Sequence, residues 1–173
     1  MGTNRPSIVL LAALLAAPGA SAALIDVPQN RDEFVKAVSA GKGATAAETL
    51  TSDQPLGKIY DLLTEKADAC LDVEVSRTAY VGYVERSSSD YNPTIQLLGR
   101  DRAAFTLQVV HNPRAVGSTP PPGGLYVMAA DLRSIDGDRT EIVLYRPTIG
   151  FKNVVESLKK WLDGDDAPCP KLR

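Results

Sequence analysis

The sequence predicts an α+β fold. It is a single domain in which a curved antiparallel β-sheet has helices packed on one face, including a long C-terminal helix. Two observations carry this. Apolar residues recur at helical spacing in two stretches, Leu56 to Cys70 and Phe151 to Leu162. Between them, from Leu71 to Arg146, the period shortens toward two and the connections turn on Gly and Asp, as antiparallel hairpins require. A surface helix buries one stripe and a half-solvated sheet one face, so each supplies the cover the other needs.

The chain opens with Met1 to Ala22, which has one basic side chain, Arg5, then an apolar run from Ile8 to Ala17. Pro18 and Gly19 break the run, and Ala20-Ser21-Ala22 supplies small residues for a peptidase. This is the layout of a cleavable secretory signal. Residues 1–22 are expected to be removed between Ala22 and Ala23, leaving 23–173 as one α+β domain. The run is too short to span a bilayer, and no Cys lies in or just after it to take a lipid anchor.

The first helix follows. Asn30-Arg31-Asp32-Glu33 has the spacing of a reciprocal cap, Phe34, Val35 and Val38 make its apolar stripe, and Gly41 and Gly43 end it. Thr45 to Thr51 reads as a short strand. Ser52 or Asp53 is positioned to cap a second helix, with Pro55 in its first turn and Leu56, Ile59, Leu63, Ala67 and Cys70 along one face. Leu71 to Tyr83 reads as one long strand, bent near Arg77 or Gly82. Pro93–Leu98 and Ala103–Val110 form a hairpin. Leu125–Arg133 and Thr140–Arg146 form another around Asp136-Gly137-Asp138. The stretch from Asn112 to Gly124 between these hairpins reads first as an exposed connector, and otherwise as a functional loop near the mouth of a groove between the sheet and the last helix. The last helix carries Phe151, Val154, Val155, Leu158, Trp161 and Leu162 on one side and stops at Gly164. Pro168 and Pro170 then hold the tail extended around Cys169.

Cys70 and Cys169 are the only cysteines. In an exported chain an even pair reads as a disulfide, here one that pins the tail to the body. Closing a loop of roughly 100 residues stabilises by a few kcal/mol, at most about 5.

Catalytic and metal chemistry find little support. The single histidine, His111, sits at a strand end with no nucleophile elbow, and reads as a surface residue. One His and two bonded Cys are too few for zinc. Asp163, Asp165 and Asp166 lack the spacing of a calcium loop and read as a solvated turn; turn chemistry likewise accounts for Asp136 and Asp138 near Asp131. No phosphate-cradling glycine motif occurs. No catalytic, cofactor or metal residue is therefore expected. Tyr80, Tyr83, Tyr91 and Tyr126 combine apolar area with a polar tip; as strand residues they read first as packing partners, and otherwise as the lining of a concave face or a protein contact.

Three stretches resemble an uncharacterised group of secreted or lipoprotein-type bacterial envelope proteins. They are Gln54-Pro55-Leu56 through Ala69-Cys70-Leu71, the strand start Gly123-Gly124-Leu125-Tyr126, and Trp161-Leu162-Asp163-Gly164-Asp165 followed by Cys169-Pro170. The resemblance implies a shared fold and disulfide and carries over no catalytic residue. The element order is also similar to a helix-grip arrangement, in which a long last helix lies in a curved sheet.

The mild acidity, a formal net charge of −2 with no basic run, argues against nucleic acid or anionic lipid as the main partner. Two expectations for an exported periplasmic or secreted protein remain. One is a non-enzymatic interaction or structural role with an envelope protein partner. The other is carriage of an apolar small molecule or lipid in a pocket between the sheet and the last helix. A filled groove favours the first, an open one the second.

Overall fold

The computed structural model describes residues 27–80, 82–113 and 119–172. The expected signal segment with its Ala22–Ala23 junction, Val81 and part of the 112–124 connector lie outside the described residues.

Among the described residues three helices and six strands follow in the order α1 (Arg31–Ser39), β1 (Thr45–Ser52), α2 (Leu56–Cys70), β2 (Val73–Tyr80), β3 (Val84–Leu97), β4 (Arg102–Asn112), β5 (Leu125–Ser134), β6 (Thr140–Pro147) and α3 (Lys152–Leu162). The strands form one sheet, ordered β1-β6-β5-β4-β3-β2, with every neighbour antiparallel. Among the described residues β1 and β2 are the two edges, so α2 carries the chain from one edge across to the other.

The main core lies between the sheet and α2 and α3. Ile59 and Leu63 of α2, Phe105 and Leu107 of β4, Met128 and Leu132 of β5, and Leu158 and Trp161 of α3 are all buried there. α1 packs on the opposite face. Its Phe34 and Val38 cover Ala129 beside Tyr126 and Tyr145. This corrects the expected placing of the helices on one face. A three-turn stripe needs apolar cover but does not say which side of the sheet supplies it. A register shift opposite Leu107/Gln108 lets Tyr126 share the α1 face with Ala129, while Leu125 and Met128 serve the main core.

The C-terminal helix is also not long. α3 has 11 residues, fewer than the 15 of α2. Its apolar stripe is as expected, but Gly150 and Phe151, both at positive φ, precede it, and Gly164 at φ 82° ends it. Gly164 donates to Trp161 O (2.9 Å) and Asp165 to Lys160 O (2.9 Å), closing the last turn.

Local capping follows the sequence at α1 and departs from it at α2. Asn30 Oδ1 accepts from Glu33 N (2.9 Å), and the Glu33 carboxylate reaches back to Gln29 N (2.8 Å). At α2 the N-cap is Pro55, with no side-chain hydrogen bond. Ser52 is instead buried, and its hydroxyl donates to Leu162 O (2.6 Å), tying β1 to the end of α3.

The expected long strand from Leu71 to Tyr83 is the first half of a hairpin. The chain turns after Tyr80 and returns as β3, which starts at Val84, well before Pro93. Pro93 is tolerated because β2 reaches only to Tyr91, leaving β3 one neighbour there.

Candidate functional site

The residues singled out from the sequence do not converge. Tyr91 is buried against α3, edge-on to Phe151 at 6.2 Å. Tyr126 stacks on Phe34 beneath α1, at 6.1 Å. Tyr80 and Tyr83 lie in the open, 79% and 66% exposed. The four tyrosines thus divide between both faces and one projecting hairpin.

His111 is exposed, and its Nδ1 is 2.9 Å from Ser89 Oγ, its direct cross-strand neighbour. Of the acidic tail, Asp166 is paired with Lys66 (2.6 Å), which holds its carboxyl below the usual range. Among the described residues no group of three or more His, Cys, Asp or Glu is arranged to hold a metal ion. Asp136 accepts from the amides of Asp138 and Arg139 and pairs with the Arg139 guanidinium, completing the hairpin turn. Asp131 pairs with Arg31 of α1. Burial, reinforced by that carboxylate, raises the Tyr145 phenol above its ordinary value.

Cys70 and Cys169 are joined, with Cα atoms 5.1 Å apart. The bond fastens the tail beside the end of α2. From there the tail runs back along α3, so that Lys171 O accepts from Asn153 at the opposite end of the helix (2.6 Å).

Side chains largely fill the space between the sheet and the two helices of the main face. Between the sheet and α2 and α3, Leu50, Leu63, Phe105, Ile142, Leu158 and Leu162 enclose only about 10 Å³. That is room for one water at most. Larger concavities are surface clefts. One of about 290 Å³ lies at the start of α3 between Tyr91, Phe151 and Leu172, with Lys152 and Lys171 beside it. Another, about 410 Å³, lies between α2 and the turn after α3 and carries both signs of charge, Lys58, Glu65, Lys66 and Asp165 among them.

The most distinctive surface is the β2–β3 hairpin. β4 accompanies β3 only as far as Ser88, its partner being Asn112. Beyond that, Arg77 to Tyr80 pair with Ser87 to Val84, with no third strand beside them among the described residues. The tip presents Tyr80, Tyr83 and Val84, the last 57% exposed. An isolated two-stranded ribbon is marginal in water, so this arm is held by its root rather than by a core of its own. Sequence reading missed it because Val84-Glu85-Arg86-Ser87-Ser88-Ser89 has no alternation. With both faces in solvent, nothing selects apolar residues on one side.

The connector before β5 lies on the α1 face. Gln108, nearly buried, donates to Pro122 O and Gly124 O (2.9 Å each), and Asn92 donates to Gly123 O (3.2 Å). This end of the loop is therefore remote from the space between the sheet and α3.

Among the described residues no helix is long and apolar enough to cross a membrane. Comparison with protein-family models, with curated proteins and with solved structures finds no match to this chain.

Proposed function

We propose that this is an exported cell-envelope protein with a non-enzymatic interaction role, which uses the β2–β3 arm to engage a protein partner. The observation that carries the reading is the filled interior: about 10 Å³ between the sheet and its two helices leaves the outer surface to do the binding. The arm is the part of that surface with the composition of an interface centre, two tyrosines and a valine exposed together. The Cys70–Cys169 bond agrees with an oxidising compartment, and the signal layout of residues 1–22 supplies a route to it. Carriage of an apolar molecule is the alternative. It would have to use the 290 Å³ cleft at Tyr91, Phe151 and Leu172.

The test is capture of partners from the native envelope with the wild-type protein and with Tyr80→Ser/Tyr83→Ser. Both side chains are solvent-exposed, so the variant should keep the wild-type melting temperature and lose its partner. A partner retained by the variant would refute the role of the arm. Saturable uptake of an apolar fluorescent probe, abolished by Leu172→Glu, would favour carriage instead.

A further inference from the structure

We propose that the β1 edge is a self-association surface: two copies of this chain pair β1 with β1, antiparallel about a two-fold axis at Thr49, joining their sheets into one.

Exposed sheet edges are usually guarded by lysine, proline, a bulge or a covering segment, because their unpaired amides and carbonyls recruit other strands. The two edges here differ. β2 carries Glu74 and Arg77 and runs into the projecting arm. β1 reads Thr-Ala-Ala-Glu-Thr-Leu-Thr-Ser, has neither lysine nor proline, and keeps an unbroken register with β6 over its whole length. Its single charge, Glu48, is held by Lys159 of α3 and by Arg146 of β6 (3.4 Å). The carboxylate that would otherwise repel its own copy is therefore already neutralised from within.

The direction of the backbone groups fixes which residues bond outward. Thr148 N donates to Ala44 O (2.8 Å), one step before the Thr45–Pro147 pair. Bonded and non-bonded pairs alternate along an antiparallel ladder. Ala46, Glu48, Leu50 and Ser52 thus address β6, while Thr45, Ala47, Thr49 and Thr51 address solvent. Ala47, Thr49 and Thr51 are also the exposed side chains of the strand.

Symmetry then selects the register. Antiparallel pairing of a strand with its own copy needs a two-fold axis perpendicular to the sheet, so opposed residues share a face and the axis passes beside one residue. An axis at Glu48 opposes Thr49 to Ala47 and so makes no Thr–Thr pair. An axis at Ala47 or Leu50 shortens the overlap. An axis at Thr49 opposes Thr49 to Thr49 and Ala47 to Thr51. It satisfies the outward groups of all three residues and creates a Thr–Thr cross-strand pair, a favourable combination.

The experiment is sedimentation equilibrium of the oxidised protein, with variants at the axis. The wild type should show a monomer–dimer equilibrium. Thr49→Pro removes only an outward amide, and Thr49→Lys opposes two like charges at the axis. Each should weaken dimerisation by about tenfold or more while the far-UV spectrum and melting of dilute protein stay near wild type. A short bis-maleimide should cross-link Thr49→Cys efficiently and Ala47→Cys poorly, since the two copies of residue 47 lie on opposite sides of the axis. A wild type that remains monomeric at every concentration would overturn the proposal. So would a dimer indifferent to both substitutions, or preferential cross-linking through Ala47→Cys.

Discussion

Trp161 fastens the C-terminal tail to the core. Its ring has no exposed surface, its Nε1 donates to Ala167 O (2.8 Å), and the Lys66 ammonium lies 6.0 Å from the ring centroid. Trp161→Ala should therefore lower stability by about 3–5 kcal/mol, read as a shifted denaturation midpoint. An unchanged midpoint would mean that α3 does not bury this side. The burial of Trp161 was legible in the apolar stripe of its helix. Its bond to Ala167 was not, because that contact exists only once the tail has doubled back. Gly124 makes a second residue-scale case. Its φ is +103°, and an added Cβ would lie 2.4 Å from Val109 O. Gly124→Ala should destabilise by about 1–3 kcal/mol or more, since strained backbone and clash add; thermal unfolding measures it. In the sequence this glycine marked only a loop end.

Between elements, ionic and covalent ties do what apolar patterning cannot. Glu48 joins edge strand β1 to Lys159 of α3 and Arg146 of β6. The Lys159 hydrogen bond, against a smaller opposing effect of burial, draws its carboxyl below the ordinary value of 4.5. A depressed carboxyl contributes stability above its unfolded value and loses it as pH falls through the lower folded value. Acidification below about pH 4.5 should therefore cost the wild type more stability than Glu48→Gln, with denaturant midpoints across that range as the readout. Identical pH profiles would remove the network from the account. The Cys70–Cys169 bond spans 99 residues. Cys70→Ser/Cys169→Ser should lose a few kcal/mol, at most about 5, measured by chemical denaturation. The core strands and both helices of the main face were readable because each buries one side. The first half of β3 was not, since solvent on both faces erases the period. The capping of α2 was misread for a related reason: Ser52 found a buried tertiary partner in Leu162 O, and tertiary bonds override local ones.

At the scale of the whole molecule, the sheet is covered unequally. α2 and α3 cover one face, and the space enclosed between Leu63, Phe105, Leu158 and Leu162 is only about 10 Å³. α1 and the end of the 112–124 connector cover part of the other. The α+β class followed from periodicity, but the division of the helices between two faces did not, because an amphipathic stripe carries no label for the side it will meet. The surfaces left over are the two ends of the sheet order, the β1 edge and the β2–β3 arm, and they are independent of one another. Loss of dimerisation at Thr49 should leave arm-dependent capture intact.

The most direct test of the arm is site-specific photo-cross-linking in intact cells. A benzoylphenylalanine placed at Tyr83 sits at the tip, whereas one at Asp61 on α2 lies away from it. The account predicts a discrete adduct with one envelope protein from the Tyr83 position and none from Asp61. Adducts of equal yield from both positions, or no adduct from Tyr83 while the protein is folded and exported, would contradict it.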